Sequence, residues 1–169
     1  MKKSNIQIVK YRRRREGKTN YNKRIKTLTS NKLRLVIRKT NTKIVTQVIK
    51  FDIKGDIVKL GVDSTALIKL GWKGSTKNLC AAYLTGYLIG KKALEAGIKE
   101  AVLDTGLITS LSGSKIYSAL KGVVDAGLNV PCSEEVFPTE DRINGKHIKD
   151  FANKIEEIKG KIKWLGNKK

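Results

Sequence analysis

A change in hydrophobic period near residue 65 is the sequence feature that most constrains the fold. Before it, three short segments (32–40, 43–51 and 57–62) are rich in β-branched residues and are predicted to be strands. After it, residues 79–88 carry apolar side chains at helical spacing, the longest such stripe in the chain. Strands joined by short turns form an antiparallel meander, and the later alternation of helices with strands indicates an α/β fold.

The first predicted strand has two different faces. Leu33, Leu35 and Ile37 alternate along it and share one side. Arg34 and Arg38 share the other side, so we expect the sheet to present their guanidinium groups together.

Two helices and two further strands are predicted beyond the meander. Thr76 is the expected N-cap of the long helix, and Gly97 the expected stop. A buried-type strand follows at 100–104, then a helix at 114–126 and a short extended segment at 128–131. We expect the helix-linked strands to run parallel in a mixed sheet, with helices packed on it.

The chain divides by composition into a basic N-terminal arm (1–30), an α/β domain (31–135) and a C-terminal extension (136–169). The extension carries one more candidate helix. Its apolar spacing is marked by Ile148, Phe151, Ile155 and Ile158, and a basic-aromatic patch follows at 161–164.

Residues 11–24 of the arm hold seven arginine or lysine side chains and two tyrosines. Almost no aliphatic side chain lies among them, so we expect a mobile arm that cannot offset its own ordering entropy by burial. Arginine binds phosphate bidentately and stacks on bases, and tyrosine can stack on unpaired nucleotides. A solvated charge run is the alternative interpretation.

The distribution of charge favours a polyanion as the partner. The net charge is +21, of which residues 1–30 carry +10 and residues 31–75 carry +7, while residues 76–136 are neutral in sum. A folded domain with one strongly basic part is the typical footprint of a nucleic-acid-binding protein. No apolar run long enough for a membrane span is present, and no secretory signal is recognisable.

Metal and nucleotide chemistry find little support. Cys80 and Cys132 are isolated, and His147 has no cysteine partner nearby, so no zinc site is predicted. No P-loop or dinucleotide-binding motif exists. The glycine loop at 71–76 is compatible with a phosphate cradle at a helix start or with a simple turn.

A divalent-metal nuclease of the ribonuclease-H-like type, or another RNA-processing enzyme, is the alternative function, because the predicted architecture is shared with that group. Such chemistry needs several carboxylates that converge on one point. Nothing in the sequence concentrates the candidates, which are Asp52, Asp56, Asp63, Asp104 and Asp125.

Six sequence blocks resemble, in order, the archaeal branch of the L-eighteen family of large-subunit ribosomal proteins, whose eukaryotic counterpart is called L-five. They are YRRRREGKTNY (11–21), RLVIR (34–38), GWKG (71–74), AAYLTG (81–86), AVLD (101–104) and EEVFP (134–138). The chain departs at Ser75, where a second glycine is expected, and at Cys132, where a histidine is expected.

The resemblance implies a cytoplasmic, non-enzymatic structural protein of the ribosome without a cofactor. It would bind 5S rRNA, 23S rRNA and neighbouring proteins of the central protuberance, and have a ribonuclease-H-like fold without the catalytic carboxylates. From the residues and the resemblance together we expect RNA contacts at the arm, the first strand and the start of the long helix. These residues are Tyr11, Arg12, Arg13, Arg14, Arg15, Lys18, Thr19, Asn20, Tyr21, Lys23, Arg24, Arg34, Arg38, Trp72, Lys73, Lys77 and Asn78.

Overall fold

A computed structural model describes residues 9–146 and 152–166. A short 3₁₀ turn lies at Glu134–Val136. In chain order the other elements are α1 (Arg12–Arg15), α2 (Tyr21–Leu28), β1 (Arg34–Lys39), β2 (Ile44–Lys50), β3 (Ile57–Asp63), α3 (Ala66–Lys69), α4 (Leu79–Glu95), β4 (Val102–Asp104), α5 (Lys115–Asp125), α6 (Glu140–Ile143) and α7 (Ala152–Gly166).

The four strands form one mixed sheet in the order β3-β2-β1-β4. Strands β1, β2 and β3 are an antiparallel meander, and β4 runs parallel to β1, which confirms the predicted mixed α/β architecture. The last predicted strand, at 128–131, is reduced to a single parallel bridge between Glu100 and Asn129.

Helices α4 and α5 cover one face of the sheet and enclose the core. Leu35 and Ile37 point into it from β1, and both are fully buried. Twelve of the residues of α4 are buried, because this helix lies between the sheet, α5 and α7. No helix in the described ranges is long and apolar enough to cross a membrane.

Two glycines let α4 and α5 approach closely. A Cβ atom built on Gly86 of α4 would lie 1.9 Å from the carbonyl oxygen of Ala119 in α5. One built on Gly122 of α5 would lie 2.1 Å from the carbonyl oxygen of Tyr83 in α4. The backbones therefore touch where the helices cross, and no larger side chain fits at either position.

The start of α4 differs from the prediction, whereas its end agrees with it. Asn78, not Thr76, is the N-cap, and its Oδ1 accepts a hydrogen bond of 2.7 Å from the amide of Ala81. The Thr76 hydroxyl instead donates to the carbonyl oxygen of Thr42 in the β1–β2 turn. Gly97 has a φ of +75°, the left-handed conformation expected after a helix.

The arm is folded in this structure, so the expectation of a mobile segment is wrong for its described residues. Helices α1 and α2 form there, and Asn20 caps α2 by accepting from the amide of Lys23 at 3.1 Å. Arg24 ties α2 to the loop before β3 through Asp56. This long-range pair supplies the interaction that local composition did not reveal.

Helix α7 packs against α4 through the buried side chains Ile155, Ile158 and Ile162. The expected helix therefore includes Ile155 and Ile158, while Ile148 and Phe151 lie outside the described residues. His147 and the side chain of Trp164 in the expected basic-aromatic patch also lie outside them.

Candidate nucleic-acid interface

A basic cleft of about 490 Å³ separates the arm from the sheet face that α4 and α5 leave uncovered. The arm contributes one wall, strands β1 and β4 form the floor, and the loop after β4 closes the side. Of the predicted residues, eight line this cleft: Arg13, Lys18, Thr19, Asn20, Lys23, Arg24, Arg34 and Arg38.

Arg34 lies at the centre of the cleft floor, where two carboxylates surround it. Its Nη2 is 2.6 Å from Oδ2 of Asp56, and its Nη1 donates to Oδ2 of Asp104 at 3.0 Å. The residue is only 2% exposed, so its guanidinium is not offered to solvent as we expected. The alternation along β1 was predicted correctly, but the helical arm covers this face of the strand.

Arg24 and Arg38 extend the same network on both sides. Arg24 donates two hydrogen bonds to Asp56, at 2.8 and 2.9 Å, in the bidentate geometry that favours arginine. Arg38 donates to Oδ1 of Asp104 at 2.9 Å and also to the Asp104 backbone carbonyl. Three arginines thus share two carboxylates.

The carboxylates are held ionised. Burial alone would raise the pKa of Asp104, but the hydrogen bonds from Arg38 and the amide of Gly106, with the charge of Arg34, lower it below its ordinary value. Burial likewise opposes ionisation of Asp56, and Arg24 and Arg34 together lower its pKa. The hydrogen bond with Asp56 in turn raises the pKa of Arg24.

Acid should destabilise the protein as Asp56 and Asp104 become protonated. Because their pKa values are lowered on folding, the stability that they contribute is present above the unfolded value of about 3.9 and is lost as pH falls through the folded values. We expect the melting temperature, followed by circular dichroism, to fall from pH 5 towards pH 2. It should fall less steeply in Asp104→Asn; equal slopes in the two proteins would contradict this assignment.

The rest of the arm presents cations outward. Arg13 donates to the hydroxyl of Thr19 at 2.8 Å, which folds the segment after α1 back on the helix. The Oε2 atom of Glu16 lies 2.9 Å from Nζ of Lys18. Its Oε1 atom is 3.8 Å from Nε of Arg12, whose side chain is 77% exposed. Arg14 and Arg15 are exposed and make no side-chain hydrogen bond or ion pair with the described chain.

The two arm tyrosines come together. The ring centroids of Tyr11 and Tyr21 are 5.3 Å apart and the planes are tilted by 48°. Tyr11 is 74% exposed, so one ring face is available for stacking beside the exposed arginines.

Of the predicted residues at the start of α4, some are buried or used as a helix cap and others are exposed. Trp72 is buried in the core, and its Nε1 donates to the carbonyl oxygen of Ser75, so the expectation that Trp72 meets RNA is not supported by its position. The oxygen of Asn78 is used as the helix cap. Lys73 and Lys77 are exposed, and neither lines the basic cleft.

The sequence interpretation missed the two carboxylates as partners of the arginines. Asp104 ends β4, and the parallel pairing places it opposite Val36, between Arg34 and Arg38. An aspartate at the end of a strand predicted to run parallel to an arginine-bearing strand was the available signal. For Asp56, 22 residues beyond Arg34 in the chain, the sequence carried no comparable signal.

The carboxylate arrangement differs from a two-metal site. In the described ranges no group of three or more histidine, cysteine, aspartate or glutamate side chains could hold a metal ion. Asp56 and Asp104 do converge, but each is hydrogen-bonded to guanidinium groups. The fold and the cleft therefore define a class: an α/β protein with a basic surface of the kind that binds polyanions.

Comparison with known proteins gives the family. Residues 5–100 match the family described as ribosomal large subunit proteins 60S L5, and 50S L18. The chain belongs to this family, which confirms the resemblance found in the sequence.

Three archaeal relatives named large ribosomal subunit protein uL18 are similar over most of their length. The protein of Methanothermobacter thermautotrophicus is 52% identical over 87% of this chain and 77% of its own. That of Korarchaeum cryptofilum is 53% identical over 93% of this chain and 80% of its own. That of Sulfurisphaera tokodaii is 53% identical over 88% and 76%. The family and these names indicate a structural ribosomal protein and not an enzyme.

Proposed function

We propose that the chain is a structural constituent of the large ribosomal subunit that binds 5S rRNA and helps to attach it to 23S rRNA in the central protuberance. Family membership and the names of the relatives support the ribosomal role. The observation that carries the RNA-binding part is the basic cleft, where the arm and the arginines of β1 face one another. Its place of action is the cytoplasmic ribosome.

The exposed cations of the arm provide the first contacts. Arg14, Arg15 and Lys23 extend from α1 and α2 into solvent, where they can donate to phosphate oxygens. Tyr11 beside them offers a ring for an unpaired base. Because the major groove of A-form RNA is too narrow for side chains, recognition depends mainly on backbone shape and on splayed bases.

Arg34 acts from beneath this surface. It holds Asp56 and Asp104, and these carboxylates orient Arg24 and Arg38 at the cleft walls. Arg24 and Arg38 remain partly exposed, with side-chain accessibilities of 30% and 36%, and can share their remaining donors with phosphate. Arg34 and Trp72 are thus structural supports, and direct contacts are assigned to the exposed residues of the predicted set.

The three-part division of the chain describes roles and not separate folding units, since α7 packs in the same core as α4. Residues 1–30 carry the contact with 5S rRNA, 31–135 the scaffold and 136–169 the contact with neighbours in the subunit. We also place the fold in the ribonuclease-H-like group, which the antiparallel meander followed by a parallel, helix-linked β4 supports.

Replacing Arg12–Arg15 with alanine should weaken binding of 5S rRNA by about 100-fold, because several charge-assisted contacts to phosphate are lost. The fold should survive, since alanine is the best helix former and no residue of α1 is buried. A filter-binding titration at fixed ionic strength measures the change.

The matched control replaces with alanine four exposed lysines that lie away from the cleft: Lys54, Lys59, Lys92 and Lys99. It has the same net charge as the arm variant, and we expect less than about a fivefold loss of affinity. Equal losses in the two variants would assign the binding to bulk charge, and an unchanged affinity of the arm variant would remove the arm from the proposed function.

A further inference from the structure

A second cleft, of about 420 Å³, opens on the other side of the loop that follows β4. Residues 104–107 and Ser110 of this loop line the first cleft, whereas Ile108, Thr109, Leu111 and Gly113 line the second. It lies at the carboxyl end of β1, where Lys39, Thr40 and Asn41 leave the sheet. In open α/β sheets this is the edge at which ligands bind.

Four cations converge on this cleft without a counter-charge. Lys39, Lys77, Lys115 and Arg142 line it, and no aspartate or glutamate is among the lining residues. None of the four side chains forms an ion pair within the described chain. Burial, followed by the charges of Lys77 and Lys39, lowers the pKa of Lys115, so these cations repel one another.

Two helices begin at the same cleft. Leu79 and Lys115 are the first residues of α4 and α5, and both line it. Asn78 caps α4, but Ser114 makes no capping hydrogen bond to α5. The hydroxyl oxygen of Ser114 is buried and has no hydrogen-bond partner in the described structure. Unpaired donors at a helix start attract anions.

The floor of the cleft is apolar. Leu79, Ile108 and Ile116 form it, and Leu111 stands at its edge with 63% of its surface exposed. The volume is in the range of small-ligand sites, and the combination of apolar floor and cationic rim matches a base attached to a phosphate.

We propose that this second cleft binds an unpaired RNA nucleotide, with its phosphate between Lys39, Lys115 and the start of α5 and its base against Leu111. This rests on the proposed function for the nature of the polyanion. An acidic peptide with one apolar side chain has related chemistry, but the cations sit beside the hydroxyls of Thr109 and Ser114, which suit phosphate and ribose. The loop after β4 would then separate two stretches of RNA.

The test uses the full-length ¹⁵N-labelled protein titrated with tetrauridylate in an NMR experiment. We expect saturable shifts of the amides of Ser114, Lys115 and Ile116. In the double variant Lys39→Gln with Lys115→Gln, the dissociation constant obtained from these shifts should rise about tenfold. The control variant, Lys92→Gln with Lys99→Gln, removes the same charge at exposed positions outside both clefts and should leave the constant unchanged.

Two competitors identify the ligand class. Inorganic phosphate should shift these amides only at much higher concentration than tetrauridylate; equal potency would overturn the nucleotide assignment. A hexaglutamate peptide that binds more tightly than tetrauridylate would overturn it in favour of a protein partner. Absence of shifts at the start of α5, or an unchanged constant in the double variant, would also overturn it.

Titrations of 5S rRNA keep this inference separate from the proposed function. Loss of affinity in the arm variant with no tetrauridylate shift at α5 would leave the proposed function standing and refute the second site. Tetrauridylate shifts at α5 without any binding of 5S rRNA would refute the proposed function and leave the second site standing.

Discussion

Gly86→Ala should destabilise the protein by about 3 kcal/mol or more, the largest effect that we expect from a single added methyl group. The new Cβ would lie 1.9 Å from the carbonyl oxygen and 2.7 Å from the carbonyl carbon of Ala119. Backbone atoms cannot rotate away as a side chain can, so α4 and α5 would have to move apart. We expect a fall in melting temperature of about 6–12 °C, measured by circular dichroism.

Gly160→Ala is the matched control, because it makes the same substitution in a helix. No described atom lies within 4 Å of a Cβ built at this position in α7. Alanine should therefore stabilise the protein by about 0.5–1 kcal/mol through its helix propensity. A melting temperature for Gly86→Ala within about 2 °C of the unsubstituted protein would show that the helices do not touch at Gly86.

Arg34→Ala should cost about 3–5 kcal/mol, because it leaves two carboxylates without their shared buried partner. The Arg34 side chain is 3% exposed, and those of Asp56 and Asp104 are 25% and 14% exposed. Water can reach the aspartates only in part, so their desolvation is not relieved when the guanidinium is removed. Urea unfolding at pH 7 measures the loss.

Lys32→Ala is the corresponding control for removal of a paired cation. Its partner Glu100 and Lys32 itself are about half exposed, and such surface pairs contribute less than about 1 kcal/mol. Combining Arg34→Met with Asp56→Asn and Asp104→Asn removes all three charges together and should recover part of the stability. A cost for Arg34→Ala no greater than that for Lys32→Ala would contradict the buried network.

The sheet and the central helix were predictable because their signals are local. The alternation around Leu35 and the stripe from Leu79 to Leu88 each follow from a single hydrophobic period. The parallel direction of β4 was expected from its helical link to the meander, but its position beside β1 was not predicted. The end of α4 was predictable as well, because helices commonly stop at a glycine with positive φ, and Gly97 adopts that conformation.

Features that depend on residues far apart in the chain were not predictable in this way. The arm looked unable to fold because its own residues bury nothing, yet Arg24 binds Asp56, 32 positions away. Thr76 was the expected cap from local sequence, but its hydroxyl donates to the carbonyl oxygen of Thr42, a residue 34 positions earlier. Arg34 looked exposed because alternation assigns a side chain to a face but does not say what covers that face.

The candidate site was predicted in outline and revised in detail. The cluster of arm cations with Arg38 was expected from composition and alternation. The structure places Arg38 and four predicted arm cations around one cleft: Arg13, Lys18, Lys23 and Arg24. Burial of Trp72 was missed because its flanking glycines and Lys73 suggested an exposed loop. Only the tertiary structure distinguishes a tryptophan that anchors such a loop from one that projects from it.

In the proposed complex with RNA, the sharing of Asp56 and Asp104 among three arginines limits how many condensed cations the RNA releases. The number of condensed monovalent cations released equals roughly the number of phosphates that the protein's positive groups newly neutralise. The positive charges of Arg24, Arg34 and Arg38 are already partly neutralised by ion pairs with Asp56 and Asp104 of the same chain. The entropy gained from ion release is therefore set by the exposed arm and lysines, and the sequence total of +21 overstates it.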